Sequence, residues 1–302
     1  MASTATVSRS TQPAAPRRGG RPRSRSTSAW LLILPSVLYM LLLFAYPMVM
    51  GIVAAFTGSD GFTMDHWQRM VSDAKFWPAV RNTLLLIVVV IPLQFVFALT
   101  MALLLQARPK FSGFYFYLWA VPLAVSDLAA GLVWLSIFAD RGYLNSVLTN
   151  LGLPTVSWLN YQSTSTMFLA VVLAEIWRAT SLVLVIVVSG MQGIPKDYDE
   201  AAAVFGAGYF TRLRQVTLPL LRPSLQVALI LRTILAFQTF AVAQALTGES
   251  FPLLVGETYR WYASLQNPNV ASAYALVIMA ISMLTAVIYL RALRDQSREV
   301  TR

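Results

Sequence analysis

Six long apolar runs dominate the sequence, and each is long enough to cross a bilayer as a helix of roughly 20 residues. Only 12% of the chain is charged, compared with about 25% in soluble domains. Proline or polar residues interrupt the second and fifth runs, which membrane helices tolerate where neighbouring helices satisfy the backbone. The sequence therefore predicts an all-α membrane protein with six transmembrane helices, at about 29–56, 83–106, 114–138, 167–191, 224–246 and 270–291.

The segments around these runs set the expected domain organisation. Residues 1–28 are rich in Ser, Thr, Pro and Arg, a composition that predicts a disordered, basic tail. This tail and the first run resemble a signal peptide, but the run exceeds the 7–15 residues of such an apolar region. We therefore expect it to be retained, within a six-helix transmembrane domain at 29–292. A polar loop at 192–223 separates spans four and five, and residues 293–302 form a second tail.

Charge is distributed unevenly between the two sides of the predicted bundle. The chain has 23 Lys and Arg against 13 Asp and Glu, a net charge of +10. Most basic residues fall in the two tails and the even-numbered loops, which places both termini in the cytoplasm by the positive-inside rule. The excess of basic residues therefore reflects the orientation of the chain in a lipid bilayer, and we expect no nucleic-acid partner. Binding of the N-terminal tail to anionic lipid headgroups is an alternative role.

The sequence lacks the residues that several classes of chemistry require. The chain has no cysteine and a single histidine, His66, so neither a thiol nucleophile nor a metal cluster is expected. The acids are scattered, and no catalytic constellation is visible. No G-x-x-x-x-G-K-[ST] loop is present to cradle phosphates. We expect a protein that is not an enzyme and binds no cofactor or metal of its own.

The loop between spans four and five contains the segment PKDYDEAAAVFGAGYFTRLRQVTLPLL. Pro195 suits the first position of a helix, where its missing N–H costs nothing. Asp197, Asp199 and Glu200 would then fall in the first turn, where the helix dipole favours acids. Asp197 and Glu200 also have capping-box spacing. The segment therefore predicts a short helix that begins at Pro195.

The rest of this segment predicts a turn and a second helix. Alanines 201–203 form helix while presenting almost no side chain, and Gly206 permits a turn. Residues 209–216 can form a second short helix, and Pro219 marks the entry to the fifth span. Such a helix pair at the membrane surface leaves room for the backbone of another protein.

The spacing of this segment resembles the EAA signature of binding-protein-dependent ABC importer permeases. The matching residues are Glu200, Ala201, Ala202, Gly206, Leu218 and Pro219, with Val216 where isoleucine is usual. The resemblance implies a coupling helix that docks into a cleft of a cytoplasmic ATPase. Glu200 would face a basic side chain of the ATPase, and Gly206 would form the turn with Ala207 after it. Phe205 departs from the aspartate that is usual in sugar permeases.

The resemblance continues along most of the chain and points to the carbohydrate-uptake branch, the maltose- and glycerol-phosphate-type permeases. Two positions depart from that branch: Glu249 replaces part of a glycine-rich turn, and Ala241 replaces a frequent aspartate. The stretches that carry the resemblance are 34–47, 141–159, 174–202, 236–250 and 271–291.

The resemblance implies ATP-driven import by alternating access in a bacterial plasma membrane. ATP and Mg would be used by two partner ATPase subunits. A second, similar permease subunit and an extracytoplasmic solute-binding protein would complete the assembly. The expected solute is a sugar or sugar-like molecule, with glycerol phosphate or a polyamine as the alternative. A stand-alone secondary transporter is a further alternative, although the two repeat halves typical of that class are not visible.

Ionisable residues within spans are costly, and they are candidates for the solute pathway. The chain has four in the predicted spans: Asp127, Glu175, Arg178 and Arg232. Glu175 and Arg178 lie three residues apart on one helix, so they can pair with each other. A structural salt bridge and a solute contact both remain open for this pair and for Asp127.

The fifth span holds the remaining candidates. Arg232, Ala236, Thr239 and Ala243 would share one face of a continuous helix. In the maltose-type permeases, polar residues that contact sugar occupy about this part of the same helix. By that resemblance, Arg232 and Thr239 are expected to contact solute, with Gln238 beside them.

Overall fold

The computed structural model describes residues 26–107 and 109–294, which are almost entirely helical. Besides a small hairpin (β1, Thr57–Gly58; β2, Gly61–Phe62) and several short 3-10 and π-helical turns, the elements are α1 (Ser26–Met40), α2 (Tyr46–Phe56), α3 (Asp65–Ser72), α4 (Phe76–Gln106), α5 (Ser112–Ala120), α6 (Asp127–Phe138), α7 (Tyr143–Asn150), α8 (Thr164–Gln192), α9 (Asp197–Val204), α10 (Tyr209–Arg212), α11 (Leu218–Phe237), α12 (Ala241–Thr247), α13 (Leu254–Tyr259) and α14 (Pro268–Arg294).

Five helical stretches are long and apolar enough to cross a membrane, and a bent pair of helices brings the number to six if it counts as one span. The all-α prediction is therefore confirmed. The five stretches are Leu32–Phe56, Phe76–Gln106, Thr164–Gln192, Tyr209–Phe237 and Pro268–Arg291.

The third apolar run forms the bent pair. Its helices, Ser112–Ala124 and Asp127–Asn150, meet at an angle of 104°, so the expected continuous helix at 114–138 is wrong. Pro122 lies in the 3-10 turn that ends the first part. Ser126 then caps the second part, because its hydroxyl accepts a hydrogen bond from the Ala129 N–H at 3.2 Å. The chain therefore breaks within the span and restarts at Asp127.

The second and fifth predicted spans also differ from their helices. The second helix starts at Phe76, seven residues before the apolar run, because Pro78 lies in the first turn, where proline is tolerated. In the fifth, the expected second short helix at 209–216 is continuous with the span through a π-helical turn. That helix ends at Phe237, and a new one starts at Ala241. The span therefore breaks at residues 238–240.

The centre of the bundle is formed by α4, α8 and α11, which pack on one another along their lengths. A cluster of small and branched side chains fills the contact, including Ala98, Val183, Val187 and Ala228. Such small residues let helix backbones approach closely in membranes. The packing brings the polar residues of these three helices together at one depth.

The second halves of the two broken spans, α6 and α12, also pack against each other. Gly131 makes the contact possible, because a Cβ atom there would lie only 2.6 Å from the Cβ of Ala245. The two breaks therefore precede a pair of helices that lie in close contact.

Candidate functional site

A buried carboxylate, Glu175 of α8, holds together the charged residues of the bundle. Arg178, one turn further along α8, donates to it from Nε at 3.3 Å and from Nη2 at 3.1 Å. This is the pairing that their three-residue spacing predicts. The side chain of Glu175 is 1% exposed, so its charge is stabilised by protein groups and not by water.

A second arginine reaches Glu175 from another helix. Arg232 of α11 donates from Nη2 to Glu175 at 3.0 Å and from Nε to the side-chain oxygen of Gln94 at 2.7 Å. Gln94 of α4 in turn donates to the backbone carbonyl of Glu175 at 2.8 Å. The side chain of Arg232 is also 1% exposed. These three residues therefore tie α4, α8 and α11 together.

Asp127 completes the network at its exposed end. Arg178 donates from Nη1 to the Asp127 carboxylate at 2.6 Å, and the side chain of Asp127 is 51% exposed. Asp127 is the first residue of α6, directly after the break in the third span. All four ionisable residues expected in the spans thus form one network with no net charge.

The remaining pathway candidates lie at the break in the fifth span. The shared face expected for Arg232, Ala236, Thr239 and Ala243 does not form, because the helix ends at Phe237. Hydrogen bonds of 3-10 type close its last turn at Gln238 and Thr239. The Thr239 hydroxyl is buried and has no hydrogen-bond partner among the described residues. Thr239 and Gln238 therefore belong to a break and not to the face that carries Arg232.

Sequence reasoning did not identify Gln94, although the signal was present. It is a lone amide within the apolar run of α4, and its side chain is fully buried. A polar residue in that position requires a partner. The identity of the partner could not be read from the sequence, since Arg232 lies 138 residues away.

A second charged cluster, also outside the sequence predictions, joins the loop before α4 to the turn after α13. Arg260 forms ion pairs with Glu257 and Asp73, and the Trp261 indole donates to Asp73 at 2.8 Å. Burial raises the pKa of the Glu257 carboxyl, and the hydrogen bond from Arg260 opposes that rise. The cluster fixes the segment between spans five and six against the start of span two.

The segment with the EAA-like spacing, termed the coupling segment (α9, the turn after it and α10), forms the second candidate site. Asp197, Asp199 and Glu200 lie in the first turn of α9, as predicted. However, the helix starts at Asp197 and not at Pro195. Lys196 is the N-cap residue and no side chain caps the helix, so the expected capping box is absent. An ion pair of 2.8 Å between Arg212 and Asp199 holds α10 against α9.

Gly206 ends α9 in the way the motif predicts. Its φ angle is +79°, a left-handed conformation that glycine adopts without steric cost. The Gly206 N–H donates to the Ala203 carbonyl and the Ala207 N–H donates to the Ala202 carbonyl. These two bonds form a Schellman motif. The turn therefore depends on glycine at 206, while Ala202 and Ala207 supply its outer hydrogen bond.

The tip of the coupling segment is exposed and apolar. Phe205 is 90% exposed, and Val204 and Phe210 are almost as exposed. Glu200 is also exposed and forms no ion pair within residues 26–107 and 109–294. Leu218 and Pro219, the last residues of the motif, are partly buried at the start of α11. An exposed apolar tip beside a free carboxylate is typical of a protein-binding surface.

A cavity lies between α9 and the spans. Its volume is about 640 Å³, and its lining includes Gln106 at the end of α4, Met191 at the end of α8 and Glu200 of α9. The helix α9 packs mainly on α10 and on the π-helical turn before α11. It is therefore connected to the bundle through α11, the helix that carries Arg232.

Comparison with known proteins identifies the family. A sequence model of the binding-protein-dependent transport system inner membrane component family matches residues 74–298. The chain belongs to this family. The permease is 33% identical to the sulfoquinovosyl glycerol transport system permease protein SmoG of Agrobacterium fabrum, over 89% of this chain and 91% of that protein. It is 31% identical to the trehalose/maltose transport system permease protein MalF of Thermococcus litoralis, over 87% and 92% of the two chains.

Solved structures show the same fold. A bacterial ABC transporter involved in import of the acidic polysaccharide alginate superposes with a TM-score of 0.76, at 17% identity, over 89% of the permease and 96% of that chain. The alginate transporter in complex with a pentasaccharide-bound periplasmic protein superposes with a TM-score of 0.72, at 21% identity, over 92% and 96% of the two chains.

The burial of Glu175 and Arg232 leads to a stability prediction. Glu175→Gln leaves two arginines without their shared anion, and it should lower the free energy of unfolding by about 3–5 kcal/mol. Asp127→Asn, at the exposed end of the same network, should cost less than about 1 kcal/mol. Thermal unfolding of the purified variants in detergent measures both. The double variant Glu175→Gln/Arg232→Gln should lose less than the two single losses combined, and an additive loss would contradict the pairing.

The left-handed turn gives a second prediction, with a control nearby. Gly206→Ala places a Cβ atom in a left-handed conformation and should destabilise the turn by about 1 kcal/mol. Amide hydrogen exchange at residues 204–207 should then be roughly fivefold faster. Gly208→Ala also adds a methyl group in open space, but Gly208 has a φ of −67°. It should leave the exchange unchanged, and equal effects of the two substitutions would refute the proposed role of Gly206.

Proposed function

We propose that the permease is a subunit of an ATP-driven importer that moves a sugar or sugar-like solute into the cytoplasm by alternating access. The observation that carries the proposal is the coupling segment, with its exposed Glu200, its apolar tip and its glycine turn. The absence of a phosphate-cradling loop in the sequence is consistent with energy supplied by another subunit. Relatives that are named for sulfoquinovosyl glycerol and for trehalose and maltose support a sugar as the solute.

This proposal has three kinds of protein partner. Two ATPase subunits bind ATP and Mg, and the coupling segment docks into one of them through Glu200, Phe205 and Gly206. A second, similar permease subunit lies beside this one in the bilayer. An extracytoplasmic binding protein delivers the solute, a role supported by the periplasmic protein bound to the alginate transporter. Both termini lie in the cytoplasm of a bacterial cell, in accord with the distribution of basic residues.

The solute pathway in this proposal runs past the breaks in spans three and five. Broken helices near the middle of a membrane expose backbone and polar groups that bind solutes in many transporters. Asp127 with Arg178 lies at one break, and Gln238 with Thr239 lies at the other. Glu175 and Arg232 are buried behind them, so their role is to position Arg178 and to hold the helices.

Charge reversal at the coupling segment tests the proposal. The tagged permease, purified from its host in mild detergent, should bring down an ATPase. Glu200→Lys should reduce the recovered ATPase about tenfold, because the lysine would meet a basic side chain of the partner at close range. Recovered ATPase protein and ATP hydrolysis are both measured.

Asp60→Lys provides the matched control, since Asp60 is an exposed acid in the hairpin after α2. It should leave recovery of the ATPase unchanged. If no ATPase accompanies the permease, or if Glu200→Lys has no effect, the permease is not coupled through this segment and a stand-alone transporter becomes the better explanation.

A further inference from the structure

The positive and negative charges of the network are divided unevenly between its buried and its exposed parts. Glu175 and Arg232 are 1% exposed and Arg178 is 17% exposed, so the buried part holds two cations and one anion. The anion that balances the second cation is Asp127, which is half-exposed. Electrical balance in the buried part therefore requires an anion beside Arg178, and that anion approaches Arg178 from the exposed side of the network.

The exposed side of Asp127 is unsuited to contact with lipid. A half-exposed carboxylate within a span would be costly against hydrocarbon, and such residues face a water-filled cavity or another polar surface. Asp127 also follows a sharp break in its span, and breaks of this kind line solute sites. Its surroundings are therefore accessible to a dissolved anion.

One contact in the network is suited to exchange. Arg178 holds Glu175 with two hydrogen bonds within one buried helix turn, but it holds Asp127 with a single bond between α8 and α6. Release of Asp127 returns a half-exposed carboxylate to water, and an arriving anion replaces the charge that Arg178, which is 17% exposed, would otherwise lack. The guanidinium group of Arg178 then presents a planar donor edge, which suits carboxylate, sulfonate or phosphate groups.

Two indole rings lie along the same contact between α6 and α8. Trp177 is the residue before Arg178 and is partly exposed, and its ring meets that of Trp134 edge-on at 6.2 Å between centroids. Trp134 lies seven residues after Asp127, on the same face of α6. An aromatic surface next to a cation offers an apolar face to a sugar ring and a charged partner to its acidic substituent.

We propose that Arg178 selects a sugar that carries an anionic group, and that this group replaces Asp127 as the partner of Arg178 during transport. Asp127 then acts as the internal anion that occupies Arg178 when no solute is bound. The proposal rests on the proposed transport function and specifies the chemical class of its solute. Glu175 acts as a positioning residue, since it fixes the guanidinium group of Arg178 from behind.

Thiol reactivity tests the proposal directly, because the natural chain has no cysteine. Asp127→Cys is treated in native membranes with two methanethiosulfonate reagents, one anionic with a sulfonate group and one cationic with a trimethylammonium group. The ratio of the anionic to the cationic rate should fall about tenfold when Arg178→Gln is added, since the attracting charge is lost. Arg178→Lys, which keeps the charge, should preserve most of the ratio.

Two sugars of similar size provide the specificity test. Glucuronate should slow the reaction of Asp127→Cys with the anionic reagent, and glucose at the same concentration should not. Equal protection by both sugars, no protection by either, or a thiol that reacts with neither reagent would overturn the proposal. A ratio that does not respond to Arg178→Gln would overturn it as well.

A control distant from Asp127 separates misfolding from loss of charge. Tyr143→Cys places the thiol at an exposed position at the start of α7, separated from Asp127 by the length of α6. Its rate ratio should not change with Arg178→Gln, because a charge at that distance is screened. A change at both positions would show that Arg178→Gln has misfolded the chain, and the ratio measured with Arg178→Lys then decides the outcome. The experiment needs no ATPase, so recovery of ATPase with failure here would overturn the solute class alone.

Discussion

The arrangement of the bundle depends on the carboxylate of Glu175, which two arginines share inside the membrane-spanning part of the chain. Burial of any one of these charges alone would be prohibitive, so three helices must meet where the pairs form. Gln94 satisfies a further donor of Arg232 and a carbonyl of α8. The contact therefore fixes the register of the three helices as well as pairing their charges.

The network around Glu175 is connected both to a break in a neighbouring span and to the coupling segment. Spans three and five each stop and restart, and their second halves, α6 and α12, pack together at Gly131. Arg178 connects the centre to the first break through Asp127. In the other direction, α11 runs back from Arg232 to the coupling segment with its exposed Phe205. One helix thus joins the surface proposed to bind the ATPase to the network proposed to bind the solute.

The sequence predicted features that depend on local spacing. Apolar run length located the spanning helices, a three-residue spacing predicted the Glu175–Arg178 pair, and the position of Gly206 predicted its turn. Features set by distant contacts were not predictable. The break at 238–240 has no glycine or proline to mark it, and the partner of Arg232 lies 57 residues away. The absent capping box at Asp197 shows that a spacing alone does not decide which residue starts a helix.

The most direct measurement is solute uptake into sealed vesicles that contain the permease with the proteins that co-purify with it. Radiolabelled sugar is supplied outside with the binding protein, and ATP with Mg²⁺ is enclosed within. Uptake should require enclosed ATP and should be lost when a non-hydrolysable analogue replaces it. Uptake that proceeds without ATP, driven by an ion gradient alone, would contradict the central claim that this chain is the membrane subunit of an ATP-driven importer.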